Sequence, residues 1–586
     1  MNDLRYYSQQ FWHQGLRYLI LFGTLGLFNQ FIVIPVFRWL TAKVLQAGEI
    51  PFVSVQNTLT IIRDHPAVVV ALICEVVVLL VIIYSQLAIL LESIWQSING
   101  EVRWQLLLQV GITSWQSLRP GSLLLILGYF LLVTPLAAIV FRTPLLVQIH
   151  LPQFIADYMT RNGWLISALV IFYVVMVIIG IRLILALPLM VIQRVPSWTA
   201  MKTSWQMTAA QQWQRYGQKI GIVLILSVVG GGILSSLIYV CQLGLDLLPG
   251  KYPFYAAVIS LFVLQLGSEL LAIWAGTVGL WIIIAPLGAE KSAQIARLEN
   301  RQVVIAALLV LIVFSLGALT SDVSYLTVNL HYRPLTISHR GVAEKNGVQN
   351  TIPAMKKTSR LLHPDYVEMD VHETKDHQFV VLHDENLQKL TGVAKRPSQL
   401  TLRQLTKLTA HENGYQARLV SFDQYLTAAE RQHQKLLVEI KTTSADSPKM
   451  VERFNCRYGQ RLVKDQDLVH SLDYNVVAKL SQLNSRLAVF YVQPYDFGKP
   501  DHRSAGFSME YSTLSQNFIN QAHYHHQPVF AWTVNNPLIM KQMMYNHVDG
   551  IITDDLGTLN KVIADFDNQQ SYARRILNYM LPIPVF

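Results

Sequence analysis

The sequence predicts a molecule in two parts: an N-terminal all-α polytopic membrane bundle of about seven spans, and a C-terminal α/β domain. Three observations carry this reading. Apolar residues make up 52% of the 586-residue chain and charged residues only 14%, far from the average of soluble domains. The bias is confined to one half: long apolar runs dominate up to about Asp322, and beyond it charge and histidine return to ordinary levels. In the second half, strand-like runs near 335–339, 366–371, 436–441, 467–472, 486–492, 505–511, 528–534 and 549–553 alternate with helix-patterned segments such as 350–362, 448–457, 475–484, 513–524 and 537–546. Eight such strands over 335–565 fit a (β/α)8 barrel, with an open doubly wound sheet as the alternative.

The first residues, 1–15, are polar and lack a small-residue cleavage site, so no removable signal peptide is expected. Seven segments, 16–40, 68–95, 121–142, 164–192, 219–247, 254–287 and 302–322, then reach the length of about 20 apolar residues that a bilayer demands. The sixth contains Gly267, Ser268 and Glu269 and is expected to kink or split there. Arg103, Arg119, Arg194, Lys202, Arg215, Lys291 and Arg297 fall in alternate loops, which by the positive-inside rule places the N-terminus in the cytoplasm and the α/β domain outside. The net charge of +10 therefore fits an anionic membrane surface better than nucleic acid. Segments 101–119 and 198–217 space Trp104 and Trp115, and Trp198, Trp205 and Trp213, as interfacial amphipathic helices would, with ordinary connecting helices packed on the bundle as the alternative. Glu75, Arg182 and Glu269 fall inside spans, where charges are costly; they are read either as Arg182 paired with one of the two glutamates around a headgroup- or polymer-binding cleft, or as a structural ion pair or a charge that snorkels from a span end. Cys74, Cys241 and Cys456 imply no disulfide framework.

The domain plan is thus a membrane region over 1–322, a linker over 323–334, the α/β domain over 335–565 with an insertion at about 377–426, and a basic, then apolar, tail over 566–586. The chemistry concentrates at the strand ends of 335–384. The first strand runs into His339-Arg340-Gly341, and the second carries Glu368 and Asp370 at i, i+2, hence on one face. A third apolar run delivers His383-Asp384. Carboxylates suit a hard divalent cation, arginine a phosphoryl group, and histidine proton transfer near neutral pH. Further on, LLVEIKT sets Glu439 and Lys441 on one face, and VFAWTVN contributes Trp532.

His339-Arg340-Gly341, Asn350-Thr351, Glu368-Met369-Asp370 and His383-Asp384, in this order and spacing, resemble the hallmark of the glycerophosphodiester phosphodiesterase family. The resemblance covers roughly 332–565 and favours the barrel; the preceding bundle looks like the membrane domain fused to some bacterial members. It implies one divalent cation, Ca or Mg, on Glu368, Asp370 and Glu439, with His339 and His383 as an acid–base pair. It further implies Arg340 on a non-bridging phosphate oxygen, Lys441 beside the developing negative charge, and Trp532 and Asn350 as substrate contacts. One position departs: Gln349 stands where the family usually has glutamate, which removes a negative charge near the expected metal.

The implied activity is hydrolysis of glycerophosphodiesters, or of polyglycerol-phosphate such as lipoteichoic acid, to glycerol phosphate and an alcohol by an enzyme tied to a bilayer. Two rivals use the same residues differently: a lysophospholipase D-type enzyme acting on lipid headgroups, and a transporter or binding protein with a non-catalytic barrel. Nothing in the sequence sets the oligomeric state.

Overall fold

The structure is a computed structural model that describes residues 2–48, 58–98, 109, 111, 127–128, 163–287, 301–327, 333–494, 503–568 and 571–580. Its N-terminal half is helical: α1 (Asn2–His13), α2 (Gly15–Phe28), α3 (Ile34–Ala47), α4 (Pro66–Ile98), α5 (Gly163–Arg182), α6 (Ala186–Ile192), α7 (Ser197–Met207), α8 (Gln212–Leu245), α9 (Tyr252–Ile284) and α10 (Arg301–Thr327). Among the described residues, six helical stretches are long and apolar enough to cross a membrane: Gly15–Leu45, Pro66–Ser97, Gly163–Ile192, Gln212–Leu245, Tyr252–Leu287 and Arg301–Thr327. Each coincides with an expected span. The remaining one, 121–142, and the expected interfacial segment 101–119 lie outside the described residues, apart from 109, 111 and 127–128. The segment 198–217 is α7 plus a turn leading into α8, and it leaves Trp198 and Trp205 exposed.

The central helix is α9. A cluster of Tyr7, Phe11, Tyr18, Tyr84, Ile94 and Leu185 packs against its Trp281 and Ile284, with the Phe11 and Tyr18 rings stacked 5.8 Å apart. Asn29 and Gln86, inside two of the spans, exchange two amide hydrogen bonds of 3.1 and 2.7 Å, a pairing that lipid favours. One expectation is corrected here. The stretch Gly267-Ser268-Glu269 does not break its helix; α9 runs through it unbroken. The missing side chain at Gly267 instead admits Leu234 of α8, whose Cδ2 would lie 2.5 Å from an added Cβ. Arg182 finds its partners on backbone carbonyls and an aromatic ring. It donates to the carbonyls of Trp205 and Thr208 at the end of α7 and lies 4.4 Å over the Trp205 ring, while Glu75 accepts from Thr41 at 2.6 Å. Free carbonyls at a helix C-terminus are a favourable partner for a cation.

The last membrane helix, α10, continues to Thr327, and the first strand begins at Leu335. Among the described residues eleven strands follow: β1 (Leu335–Ser338), β2 (Tyr366–Glu373), β3 (Phe379–Val381), β4 (Thr409–Glu412), β5 (Tyr415–Arg418), β6 (Leu436–Ile440), β7 (Leu468–Ser471), β8 (Val489–Gln493), β9 (Gly506–Glu510), β10 (Val529–Trp532) and β11 (Gly550–Thr553). Strands β1, β2 and β6–β11 are parallel neighbours, and β1 pairs with both β2 and β11, so the sheet closes into an eight-stranded barrel. The barrel helices are α11 (Ile352–Leu362), α12 (Phe422–Glu430), α13 (Met450–Asp465), α14 (Tyr474–Leu483), α15 (Gln516–Tyr524), α16 (Pro537–Tyr545) and α17 (Leu556–Asn568). Strands buried on both faces read as near-continuous apolar runs, which is why LLVEI and GIIT form them. Inside, Phe490 and Phe530 stack 4.6 Å apart with Ile337, Leu437 and Ile552. Gly506 and Gly550 make room for these rings, since a Cβ on either would collide with one of them. The segment between β2 and α12 folds as β3, antiparallel on β2, and the β4–β5 hairpin over a small core of Val380, Leu382, Leu387, Leu405, Ala410 and Leu419.

The described part of the tail is one helix, α18 (Tyr572–Met580), and it packs on the membrane helices. Ile576 is fully buried among Ile238, Ala257, Leu261, Leu264 and Leu326. The Ala573 amide donates to Asp246 at 2.8 Å, Tyr325 donates to the Arg575 carbonyl at 2.9 Å, and Gln265 donates to both Tyr579 Oη and buried Asp322 at 2.8 and 2.7 Å. Removing the Ile576 side chain beyond Cβ opens a cavity expected to cost about 2–5 kcal/mol of docking. The Ile576→Ala protein should be cleaved faster by trypsin at Arg574 and Arg575 than the parent; equal rates would show that α18 does not depend on this contact.

Candidate active site

The site lies at the C-terminal ends of the barrel strands, where side chains from separate strands converge. At the end of β1, His339, Arg340 and Gly341 form a single tight turn with Arg340 at φ 54° and Gly341 at φ 68°. A Cβ at Gly341 would lie 2.9 Å from the buried Tyr425 hydroxyl, so glycine is needed for both space and backbone sign. The turn aims the Arg340 amide at Glu368 Oε2, 2.8 Å away, and its carbonyl accepts the Asn350 amide at 2.8 Å.

Strand β2 presents Glu368 and Asp370 to the interior, both almost fully buried. Asp370 accepts from Asn350 Nδ2 at 2.8 Å, and Lys441 Nζ lies 3.1 Å from its other oxygen. Burial alone would push the Asp370 carboxyl up; Lys441, His383 and Arg340 outweigh it and hold the group far below the usual carboxylate range. Burial likewise opposes the Lys441 charge, but Asp370 and Glu439, the latter 2.7 Å away, keep its ammonium protonated well above the ordinary range. Glu439 ends β6. Next to it in register, on β7, stands His470. Donor atoms of Glu368, Glu439 and His470 all lie within 4.8 Å of one another. Of the three carboxylates read from the sequence as a metal set, Glu368 and Glu439 therefore converge with an imidazole, while Asp370 faces Lys441 and Asn350. A cation fits this pocket: buried His470 has no hydrogen-bond partner for either ring nitrogen, and Glu368 Oε1 lies 3.8 Å from its Nε2.

Both site histidines are held by acids. His339 Nδ1 is 2.7 Å from Asp554 Oδ1, and Asp554 is fixed by Asn535 Nδ2 at 2.9 Å. Burial would lower the His339 pKa, yet Asp554 outweighs it and the ring is held above its ordinary value; the imidazole in turn holds Asp554 down. His383 Nδ1 is 2.8 Å from Asp384, whose pKa that bond lowers. In both rings it is Nδ1 that the acid engages. His383, Asp384, Glu439, Lys441 and His372 line a cavity of about 600 Å3. Trp532 donates from Nε1 to the Ser508 carbonyl at 2.9 Å and packs its half-buried ring over the interior cluster.

Sequence reasoning did not single out His470, Asp554 or Glu412. His470 is the next-to-last residue of β7 and Asp554 directly follows β11, and that position was the available signal. Glu412 belongs to the β4–β5 hairpin of the insertion. It accepts from the Gln349 amide at 2.9 Å and from Gln349 Nε2 at 2.6 Å, and Gln349 Oε1 accepts from Arg340 Nη1 at 2.7 Å. The departure from the family pattern thereby acquires a reason: a glutamate at 349 would set its carboxylate against that of Glu412. Gln349→Glu is expected to lower the stability of the barrel by about 0.5–3 kcal/mol, and adding Glu412→Gln should restore most of it. A thermal-melting double-mutant cycle checks this, and strictly additive losses would contradict it.

A family model described as the membrane domain of glycerophosphoryl diester phosphodiesterase matches residues 4–320, and the model of the glycerophosphoryl diester phosphodiesterase family matches 339–558. The chain is 28% identical to YhdW of Bacillus subtilis over 235 residues, covering 37% of this chain and 93% of that protein. It is 25% identical over 240 residues to a glycerophosphodiester phosphodiesterase of Caldanaerobacter subterraneus, covering 39% and 98%. A crystal structure of a glycerophosphodiester phosphodiesterase from Parabacteroides distasonis aligns at 24% identity and a TM-score of 0.35, covering 40% of this chain and 98% of that one. The chain belongs to the glycerophosphoryl diester phosphodiesterase family, as a membrane enzyme that joins the family's membrane domain to its catalytic barrel.

Proposed function

We propose that the barrel hydrolyses glycerophosphodiesters, free or in a polyglycerol-phosphate polymer such as lipoteichoic acid, with the help of one divalent cation. The observation that supports this most is the convergence of two acid-backed histidines, His339 and His383, with Arg340, Lys441 and buried carboxylates on one barrel mouth. When bound, the cation would neutralise phosphate charge and lower the pKa of a coordinated oxygen. Glu368 and Glu439 would hold it, with Asp370 behind them keeping Lys441 and Asn350 in place. Ca or Mg are the ions that carboxylate oxygens alone would select.

The chain's own groups account for the remaining steps. Arg340, with a buried Nε that has no hydrogen-bond partner, would bind a non-bridging oxygen. Lys441 is locked in its charged form and would face the charge that develops on phosphorus oxygens. His339, whose pKa Asp554 holds above its ordinary value, would deliver a proton to the departing alkoxide, and His383 would take one from the attacking hydroxyl. Trp532 and Asn350 would bound the glycerol side. The loop charge pattern supports a cytoplasmic N-terminus and a barrel outside the cell membrane, with segment 121–142 counted as a span. The plan of a membrane region to about 322, a linker and a barrel over 335–565 is retained as part of this reading.

Full-length protein in detergent should release glycerol 3-phosphate from glycerophosphoglycerol when a divalent cation is present. Release should stop with EDTA and in His339→Ala; equal turnover by that variant would contradict the reading. Asp554 raises the His339 pKa, so Asp554→Asn should move the alkaline limb of the pH–rate profile to lower pH and reduce kcat. An unmoved limb would take the acid role away from His339.

A further inference from the structure

We propose that His470 is a nitrogen ligand of the bound cation, and that it biases this centre toward first-row transition metals over calcium. The proposal deepens the reading of a cation at Glu368 and Glu439 and rests on it. His470 is 3% exposed and sits on the interior wall beside Glu439, its register partner on the neighbouring strand. Neither ring nitrogen has a hydrogen-bond partner. A buried polar atom left without a partner costs about 1–3 kcal/mol, so an imidazole here needs something to bind. Its approach to Glu368 Oε1, 3.8 Å from Nε2, is too long for a hydrogen bond. It matches the separation of two donors that share one ion, each about 2.0–2.6 Å from it.

The chemistry of the donors sets the consequence. Carboxylates alone form an oxygen site suited to calcium or magnesium, which take little from imidazole. An added imidazole favours manganese, cobalt or zinc, whose affinity for nitrogen donors is higher. The remaining neighbours reinforce this. Lys441 holds one Glu439 oxygen at 2.7 Å, and the Arg340 amide holds one Glu368 oxygen at 2.8 Å. Each carboxylate is thus partly engaged. An ion that needs six to eight oxygens is less well served than one that accepts mixed oxygen and nitrogen ligands.

The test uses full-length protein in detergent, stripped with EDTA and loaded with one equivalent of Mn2+. Electron spin-echo envelope modulation should show the 14N coupling of a directly bound imidazole in the wild type and lose it in His470→Gln. In the same variant the Kd for Mn2+, measured by titration of the free-ion resonance, should rise about 10–100-fold. The Kd for Ca2+, measured by competition, should change less than about threefold, on the grounds that calcium draws on oxygen donors. A wild-type spectrum without nitrogen coupling overturns the proposal whatever the variant does, and so does coupling that persists in His470→Gln. Equal loss of Mn2+ and Ca2+ affinity overturns the claimed preference. Failure of the underlying reading looks different: a wild type that binds neither ion yet hydrolyses glycerophosphoglycerol in EDTA has no cation for His470 to hold.

Discussion

The constraint on which the rest of this active site depends is the presence of buried carboxylates on neighbouring strands. Glu368, Asp370 and Glu439 all face the barrel interior and are nearly inaccessible to water. Buried charge is tolerated only when it is paired. The chain supplies Lys441 and Arg340 as fixed cations, and their geometry is correspondingly specific. Lys441 bridges Asp370 and Glu439. Arg340 reaches the site only because its turn runs through left-handed backbone, which Gly341 permits. Three carboxylates against two fixed cations leave negative charge unanswered, and this deficit makes a divalent ion and an anionic phosphodiester complementary guests. The hairpin insertion extends the same logic outward, since Glu412 orients Gln349 and Gln349 orients Arg340.

A second constraint joins the two halves of the molecule. Helix α18 follows the last barrel helix in the chain and lies on α8, α9 and α10. The contact is not merely apolar. Asp246, Gln265, Asp322 and Tyr325 each take part in hydrogen bonds there, and Phe254–Tyr572 and Tyr325–Tyr579 ring pairs flank it.

Much of this was legible in the sequence, for physical reasons. Parallel strands buried on both faces announce themselves as short apolar runs, and the chemistry at their ends stands out against them, as His339, Glu368 and Glu439 do. Spans announce themselves by length. What the sequence did not convey depended on contacts distant along the chain. Glu412 lies in a hairpin whose purpose appears only once it folds over Gln349. Asp554 and His470 are single polar residues closing apolar runs, unremarkable until register sets them beside His339 and Glu439. Gly267 carried an ambiguous signal, since a helical glycine serves either a bend or a close approach, and Leu234 decides for the latter. Arg182 found backbone carbonyls where an acidic partner was one of the readings, because the end of α7 is closer to hand.

The central claim is that the unanswered negative charge at the barrel mouth defines a single cation site. Anomalous diffraction from crystals of the full-length protein soaked in Mn2+, collected at the manganese edge, tests it most directly. One peak within about 2.6 Å of oxygens from both Glu368 and Glu439 is the expected result. A strong peak elsewhere in the barrel, with Lys441 still closed on Glu439 and no ion between the two glutamates, would contradict the account.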